Sequence, residues 1–214
     1  MTQQAFAPLT GALGFSPVVP DADWVQRLLD WGVRTIQLRY KPPTNDAEVF
    51  AQQVRMAVAA GRAVARAQVF INDHWQLALA EGAYGVHLGQ EDWAELASAE
   101  RELLRASGMR LGLSTHTPEE WALAQAARPS YLAIGPVYHT TLKAMPYEAV
   151  GLERLREWTR QVSPCPVVAI GGIPLERLPA VQACGVHGVA VVSAVTQASD
   201  PQAACIAGLR SFAR

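Results

Sequence analysis

The chain has 214 residues, half of them hydrophobic and 17% charged, with a formal net charge of -1. That length and composition suit a large-cored globular protein, and an α/β barrel of this size counts as one domain. A charge so near zero argues against a general nucleic-acid or membrane-surface binder, so any anion must be met by a local basic cluster.

In chain order, Leu13–Val19 reads as a strand, and Asp21–Trp31 as a helix capped by Asp21 or Asp23 and stopped by Gly32. Val33–Arg39 is a second strand. Asn45 and Asp46 offer caps for a long Ala-rich helix reaching about Arg66. Gln68–Ile71 and Tyr84–Leu88 are strands with a helix between them. Trp93–Ser107 reads as one helix, Met109–Leu113 as a strand, and Thr117-Pro118-Glu119-Glu120 as a capped helix start with proline at the first helical position. Tyr131–Ile134 is followed by a longer loop, Gly135–Val150, and a helix from about Leu152 to Val162. Val167–Ile170, a helix beginning near Pro174, Gly188–Val192 and a last helix, Pro201–Phe212, complete the chain. Cys165, Cys184 and Cys205 are odd in number and lack CxxC spacing, which fits thiols in a reducing cytoplasm better than disulfides or a zinc site. MTQQAFAPLT lacks the pattern of a signal peptide, and no apolar run approaches the length of a membrane span.

Strict alternation of strand and helix, in about eight units without a linker, argues for a parallel sheet covered by helices. The expected architecture is a compact single-domain (β/α)8 TIM barrel over residues 13–214, after an N-terminal extension of residues 1–12. The alternative is an open doubly wound sheet. That fold usually carries phosphate-binding glycines after its first strand, and no such loop follows Val19.

Polar residues gather after the strands. Along Ile36–Lys41, Ile36, Leu38 and Tyr40 share one face, and Gln37, Arg39 and Lys41 share the other. Barrel strands are expected to be apolar on both faces. Two cations and an amide on one face therefore mark either a salt-bridged polar layer or an anion site at the barrel mouth. In Phe70–Asp92, two strands joined by a helix each end on carboxylates, Asp73 and Glu91-Asp92. Parallel pairing brings both outlets to one edge, which suits a hard divalent cation. Each carboxylate could instead cap the helix that follows it, and Gly171-Gly172 could be a tight turn only. His116 could carry a proton or serve as a cap. His74, His87 and His187 read as structural or solvent-facing, and Trp75, Trp93 and Trp121 as packing residues.

Gln37–Lys41 (QLRYK), Phe70–Trp75 (FINDHW), Gly85–Asp92 (GVHLGQED) and Gly112–Thr117 (GLSTHT) resemble thiamine phosphate synthase, in order and spacing. So do Gly135–Lys143 (GPVYHTTLK), Val168–Ile173 (VAIGGI) and Val191–Val195 (VVSAV), and the likeness runs from about Leu13 to Ala204. The resemblance implies the (β/α)8 barrel and a Mg²⁺-assisted, largely dissociative reaction. A pyrimidine diphosphate joins a thiazole phosphate to give thiamine phosphate and pyrophosphate. The partners implied are these small molecules, with no nucleic acid or membrane; a homo-oligomer is left open. By the same resemblance, Gln37, Leu38, Arg39, Tyr40, Lys41 and Asn72 meet the diphosphate substrate. Asp73 and Asp92 hold Mg²⁺, and Ser114 and Lys143 bind the diphosphate. Thr140, Thr141, Leu142, Gly172, Val192 and Ser193 surround the thiazole phosphate. Arg39, Lys41, Ser114 and Lys143 are the expected catalytic set. The alternatives are a thiazole tautomerase of the same superfamily and a non-catalytic phosphate-ligand sensor. A tautomerase has no use for a cation and carboxylate clamp, and a sensor would bind without turnover.

One departure stands out. The family's loop after the sixth strand reads Pro-Thr-x-Thr-Lys, whereas this chain has His139-Thr140-Thr141-Leu142-Lys143. Leu142 offers no hydroxyl, and such a contact to phosphate is worth about 1–3 kcal/mol. Leu142→Thr is expected to lower the apparent KM for the thiazole phosphate in steady-state assays; an unchanged KM would dismiss this role for the loop.

Overall fold

The computed structural model describes residues 4–41, 46–140 and 148–213. Eight parallel strands close on themselves in sequence order. They are β1 (Gly14–Val19), β2 (Thr35–Leu38), β3 (Gln68–Asn72), β4 (Gly85–Leu88), β5 (Arg110–Thr115), β6 (Tyr131–Ile134), β7 (Val167–Ile170) and β8 (Gly188–Val191). β1 pairs with β2 on one side and with β8 on the other, which seals the barrel. Parallel closure sends every strand's carboxyl end to the same rim, so the loops that carry the polar residues share one mouth.

The helices around the barrel follow from local signals. α1 (Ala22–Asp30) starts where the Asp21 carboxylate accepts from Trp24 N at 2.8 Å. It buries Val25, Leu28 and Leu29, one stripe at helical spacing, and ends before Gly32, whose φ is +93°. Asp46 caps α2 (Ala47–Ala63) through Glu48 N and Val49 N. α3 (Trp75–Ala80) links β3 to β4. The helix expected over 93–107 is two helices, α4 (Gln90–Glu95) and α5 (Ser98–Ala106). Leu96 and Ala97 are extended between them, and Ala97 N donates to Glu100 Oε2 at 2.7 Å. Arg101 donates to the Trp93 and Ala94 carbonyls, both at 2.9 Å, so the break leaves these groups satisfied. Thr117 and Pro118 open α6 (Pro118–Ala126) as expected. α7 (Gly151–Gln161) precedes β7. A 3-10 turn, Leu175–Arg177, and α8 (Leu178–Gln182) replace the single helix expected after Pro174. A short α9 (Ser193–Thr196) and α10 (Pro201–Phe212) close the ring.

Two apolar layers result. Ile36, Leu38, Ile71, Leu88, Leu111, Leu113, Leu132 and Ile134 fill the space between sheet and helices. Leu13, Val18, Phe70, Tyr131, Ala133, Val168 and Ala190 fill the barrel itself. The amino-terminal segment covers the end of the barrel opposite the rim. Phe6 packs edge-on against Trp93 with ring centroids 6.0 Å apart. Ser130 Oγ donates to the Ala7 carbonyl, and Arg110 Nε to that of Pro8. Inside that end, Tyr84 donates to Gln68 Oε1, and Gln68 Nε2 donates to Thr35 Oγ1 and the Ala12 carbonyl.

The interior rings need room on neighbouring strands. A Cβ on Gly85 would lie 2.6 Å from Phe70 Cε1 and 2.7 Å from the Arg110 carbonyl oxygen. Gly85→Ala is therefore expected to destabilise the fold by about 1–3 kcal/mol, the usual range for overpacking. Urea denaturation measures it; an unchanged midpoint would mean that the barrel yields at this layer.

Candidate active site

Inside the barrel, one row of register crosses four strands: Asn72 pairs with His87, His87 with Gly112, and Gly112 with Tyr131. Gly112 leaves a gap, and Tyr131 fills it: a Cβ on Gly112 would lie 2.3 Å from Tyr131 Cζ. The Tyr131 hydroxyl thereby reaches His87 Nδ1 at 2.7 Å, although the two residues are two strands apart. His87 Nε2 in turn meets Ser114 Oγ at 2.8 Å. Gln90, at the start of α4, donates to the Ser114 carbonyl at 2.8 Å. Tyr131 and His87 are buried, while Ser114 is half-buried at the rim.

On the adjoining strands, Gln37 Nε2 donates to Asn72 Oδ1 at 2.7 Å. Gln37 lines the interior cavity with Phe70, His87 and Tyr131, as the face alternation requires. Arg39 is exposed at the rim. Leu38 is buried in the helix-side layer, which leaves only its backbone for the mouth. The Tyr40 ring packs on Phe50 at 5.6 Å, and Phe50 lies 3.9 Å from the His74 ring.

Lys41 Nζ pairs with Asp73 Oδ2 at 2.9 Å, with the side chains 54% and 27% exposed. Both carboxylates expected to hold a metal come to one neighbourhood. Asp73 N donates to the His87 carbonyl at 3.0 Å, which anchors Asp73 beside the end of β4. Asp92 Oδ2 accepts from Gly89 N at 3.1 Å, just beyond that same end. Loss of solvent around the His74 ring lowers its pKa most; Asp73 opposes, Lys41 adds and Asp92 opposes. Asp73 makes no side-chain cap to α3 and has φ +62°, whereas Asp92 does cap α4 through Gly89. Carboxylate oxygens with no thiolate or imidazole cluster suit a hard cation that keeps waters or phosphate oxygens. Among the described residues, no group of three or more His, Cys, Asp or Glu gathers in metal-binding fashion.

Across the mouth, Gly171 and Gly172 have φ of +96° and +65°. A Cβ on Gly172 would lie 2.4 Å from the His139 carbonyl oxygen, so the loop after β6 presses directly on this turn. Val192 and Ser193 stand where β8 passes into α9, and Thr140 lies in the loop after β6. Thr141, Leu142 and Lys143 lie outside the described residues. His116 binds Glu120 Oε2 through its backbone N at 2.6 Å and through Nδ1 at 2.9 Å, at the entry to α6.

Gln37 with Asn72, and Lys41 with Asp73, thus meet beside the β4–α4 turn that carries Asp92, and Ser114 joins them through His87, whereas the Leu38 side chain and the Tyr40 ring pack elsewhere. His87 and Tyr131 were not expected to serve the site. The available signal was a histidine at an interior position of an otherwise apolar strand, in phase with Gly85.

The family model described as thiamine monophosphate synthase matches residues 18–195. The thiamine-phosphate synthases of Shigella dysenteriae serotype 1 and Escherichia coli O157:H7 are each 52% identical over 200 residues, covering 94% of this chain and 92% of the relative. The solved thiamine phosphate pyrophosphorylase of Pyrococcus furiosus is 30% identical, with a TM-score of 0.79 over 94% of this chain and 95% of its own.

Burial pushes the His87 pKa from 6.5 down to about 4, against the opposing pull of Asp73. Between those values the unfolded chain takes up a proton that the native ring refuses. The stability associated with neutral His87 is complete above pH 6.5 and is lost as pH falls to about 4. At about 1.4 kcal/mol per unit, the loss is about 3 kcal/mol. Urea titrations across this window are expected to show that part of the slope in the natural chain and not in His87→Gln; equal slopes would contradict a neutral buried ring.

Proposed function

The chain belongs to the thiamine monophosphate synthase family, and from that membership we infer that it is a transferase that makes thiamine phosphate. The reaction read here joins 4-amino-2-methyl-5-hydroxymethylpyrimidine diphosphate to a thiazole phosphate and releases pyrophosphate. The observation that carries this reading is the rim of the barrel. There Arg39, Lys41, Asp73, Asp92 and Ser114 bring cations, carboxylates and a hydroxyl to one mouth. Such a set suits a multiply charged leaving group.

In this reading the pyrimidine ring meets the Gln37–Asn72 amide pair. Their mutual bond leaves an acceptor on Gln37 and donors on Asn72, complementary to the amino group and ring nitrogen of an aminopyrimidine. Arg39 holds phosphate oxygens with its planar fork, Lys41 leaves Asp73 to meet the diphosphate, and Ser114 donates to it. Leu38 and Tyr40 frame this pocket, Leu38 through its backbone. Lys143 adds a cation from the loop after β6. Asp73 and Asp92 fit Mg²⁺, whose bound charge would stabilise the departing diphosphate. The thiazole phosphate takes the opposite side, against Thr140, Thr141, Leu142, the Gly172 backbone, Val192 and Ser193. Barrels often build a phosphate site after these last strands. The protein's share of catalysis is then orientation, charge neutralisation at the leaving group and exclusion of water, with no covalent nucleophile required.

The Lys41–Asp73 pair supports one consequence. With Lys41 against Asp73, half of the carboxylate charge is already neutralised, so the metal enters most readily with the diphosphate. Pyrophosphate release from both substrates and Mg²⁺ is expected to stop with EDTA. In Arg39→Ala the KM for the pyrimidine diphosphate should rise tenfold or more (roughly, for one charged hydrogen bond) and that for the thiazole far less. Turnover that survives EDTA would refute the metal role, an equal loss for both substrates would refute the placement of Arg39, and tight binding of thiamine phosphate without turnover would favour a sensor.

A further inference from the structure

Tyr131, His87 and Ser114 form one line from the barrel centre to its mouth, and pairing every hydrogen within that line sets their order. The Tyr131 hydroxyl is buried, and among the described residues its hydrogen-bond partner is His87 Nδ1 alone. A buried phenol that only accepted would leave its own proton without a partner, which is costly. Tyr131 therefore donates, and Nδ1 is the bare nitrogen. The neutral ring then carries its proton on Nε2, which faces Ser114 Oγ at 2.8 Å. Ser114 accepts from His87, and its own proton is left for another acceptor. The reverse tautomer would turn the Ser114 proton inward onto Nε2. Both ring nitrogens have partners, so a flipped ring would set carbon atoms against both oxygens.

We propose that Tyr131 and His87 are positioning residues that hold Ser114 as a hydrogen-bond donor aimed into the barrel mouth, toward the diphosphate of the substrate. The line is held in place by its surroundings. Phe70 meets the Tyr131 ring edge-on at 5.1 Å, and Tyr131 stacks on His87 with 29° between the planes. Gly112 leaves the space through which Tyr131 crosses to His87. The proposal rests on Ser114 being a diphosphate contact, as read above. It adds that this hydroxyl's direction is imposed from below.

Two measurements test it. In ¹⁵N-labelled protein, long-range ring correlations, assigned by their loss in His87→Gln, should show His87 as the Nε2–H tautomer near neutral pH; an Nδ1–H ring overturns the proposal. Tyr131→Phe keeps the ring and removes the donor. It should disturb that tautomer and raise the KM for the pyrimidine diphosphate about tenfold, the scale of one hydrogen bond, with the thiazole KM unchanged. Ser114→Ala should raise the same KM, and the double variant should add little to it, because both changes remove one donor. A full effect of Ser114→Ala with none from Tyr131→Phe overturns the positioning line while leaving the Ser114 contact intact. No effect of Ser114→Ala sinks that contact and the proposal with it, and the ring spectrum still reports the tautomer independently.

Discussion

Phe70, Tyr131 and His87 lie ring against ring at the centre of the barrel, and Gly85 and Gly112 provide no side chain where those rings sit. Close packing of this layer ties four consecutive strands together. It sets the height of β3 against β4, and so carries Asn72 and Asp73 to the level of the β4–α4 turn. A close-packed interior transmits displacement and does not absorb it. The polar residues above this layer are therefore positioned by apolar contacts below them.

The mouth carries both signs of charge. Lys41 rests on Asp73, and Asp92 rests on the Gly89 amide. An exposed ion pair of this kind is worth little in stability. Its effect is on local balance: the two opposite charges offset one another at the rim.

The opposite end of the barrel is closed. The segment around Phe6 to Thr10 bonds to Arg128, Ser130, Arg110 and Tyr84, and Gln68 links Tyr84 to Thr35 within. A polar floor satisfied by its own partners leaves the rim as the open face. That division, stability at one end and chemistry at the other, is general for parallel barrels.

Much of this was legible in the sequence. Alternating strand and helix signals led to the closed barrel, because few other arrangements bury so many parallel strands. The alternation of faces in Ile36–Lys41 separated Gln37 from Leu38 correctly. Local chemistry was less sufficient at Leu96-Ala97, where the break depends on Arg101 reaching back to two carbonyls. A one-dimensional pattern also could not assign His87: whether a histidine in a strand is structural, exposed or functional depends on what stands across the sheet. Only the closed barrel brings Tyr131 over Gly112 to one ring nitrogen and Ser114 to the other. The sequence by itself determined which residue types reach the rim, since strand period and parallel direction are local properties. The tertiary structure alone decided which of them touch, because register and ring packing between distant strands set those distances.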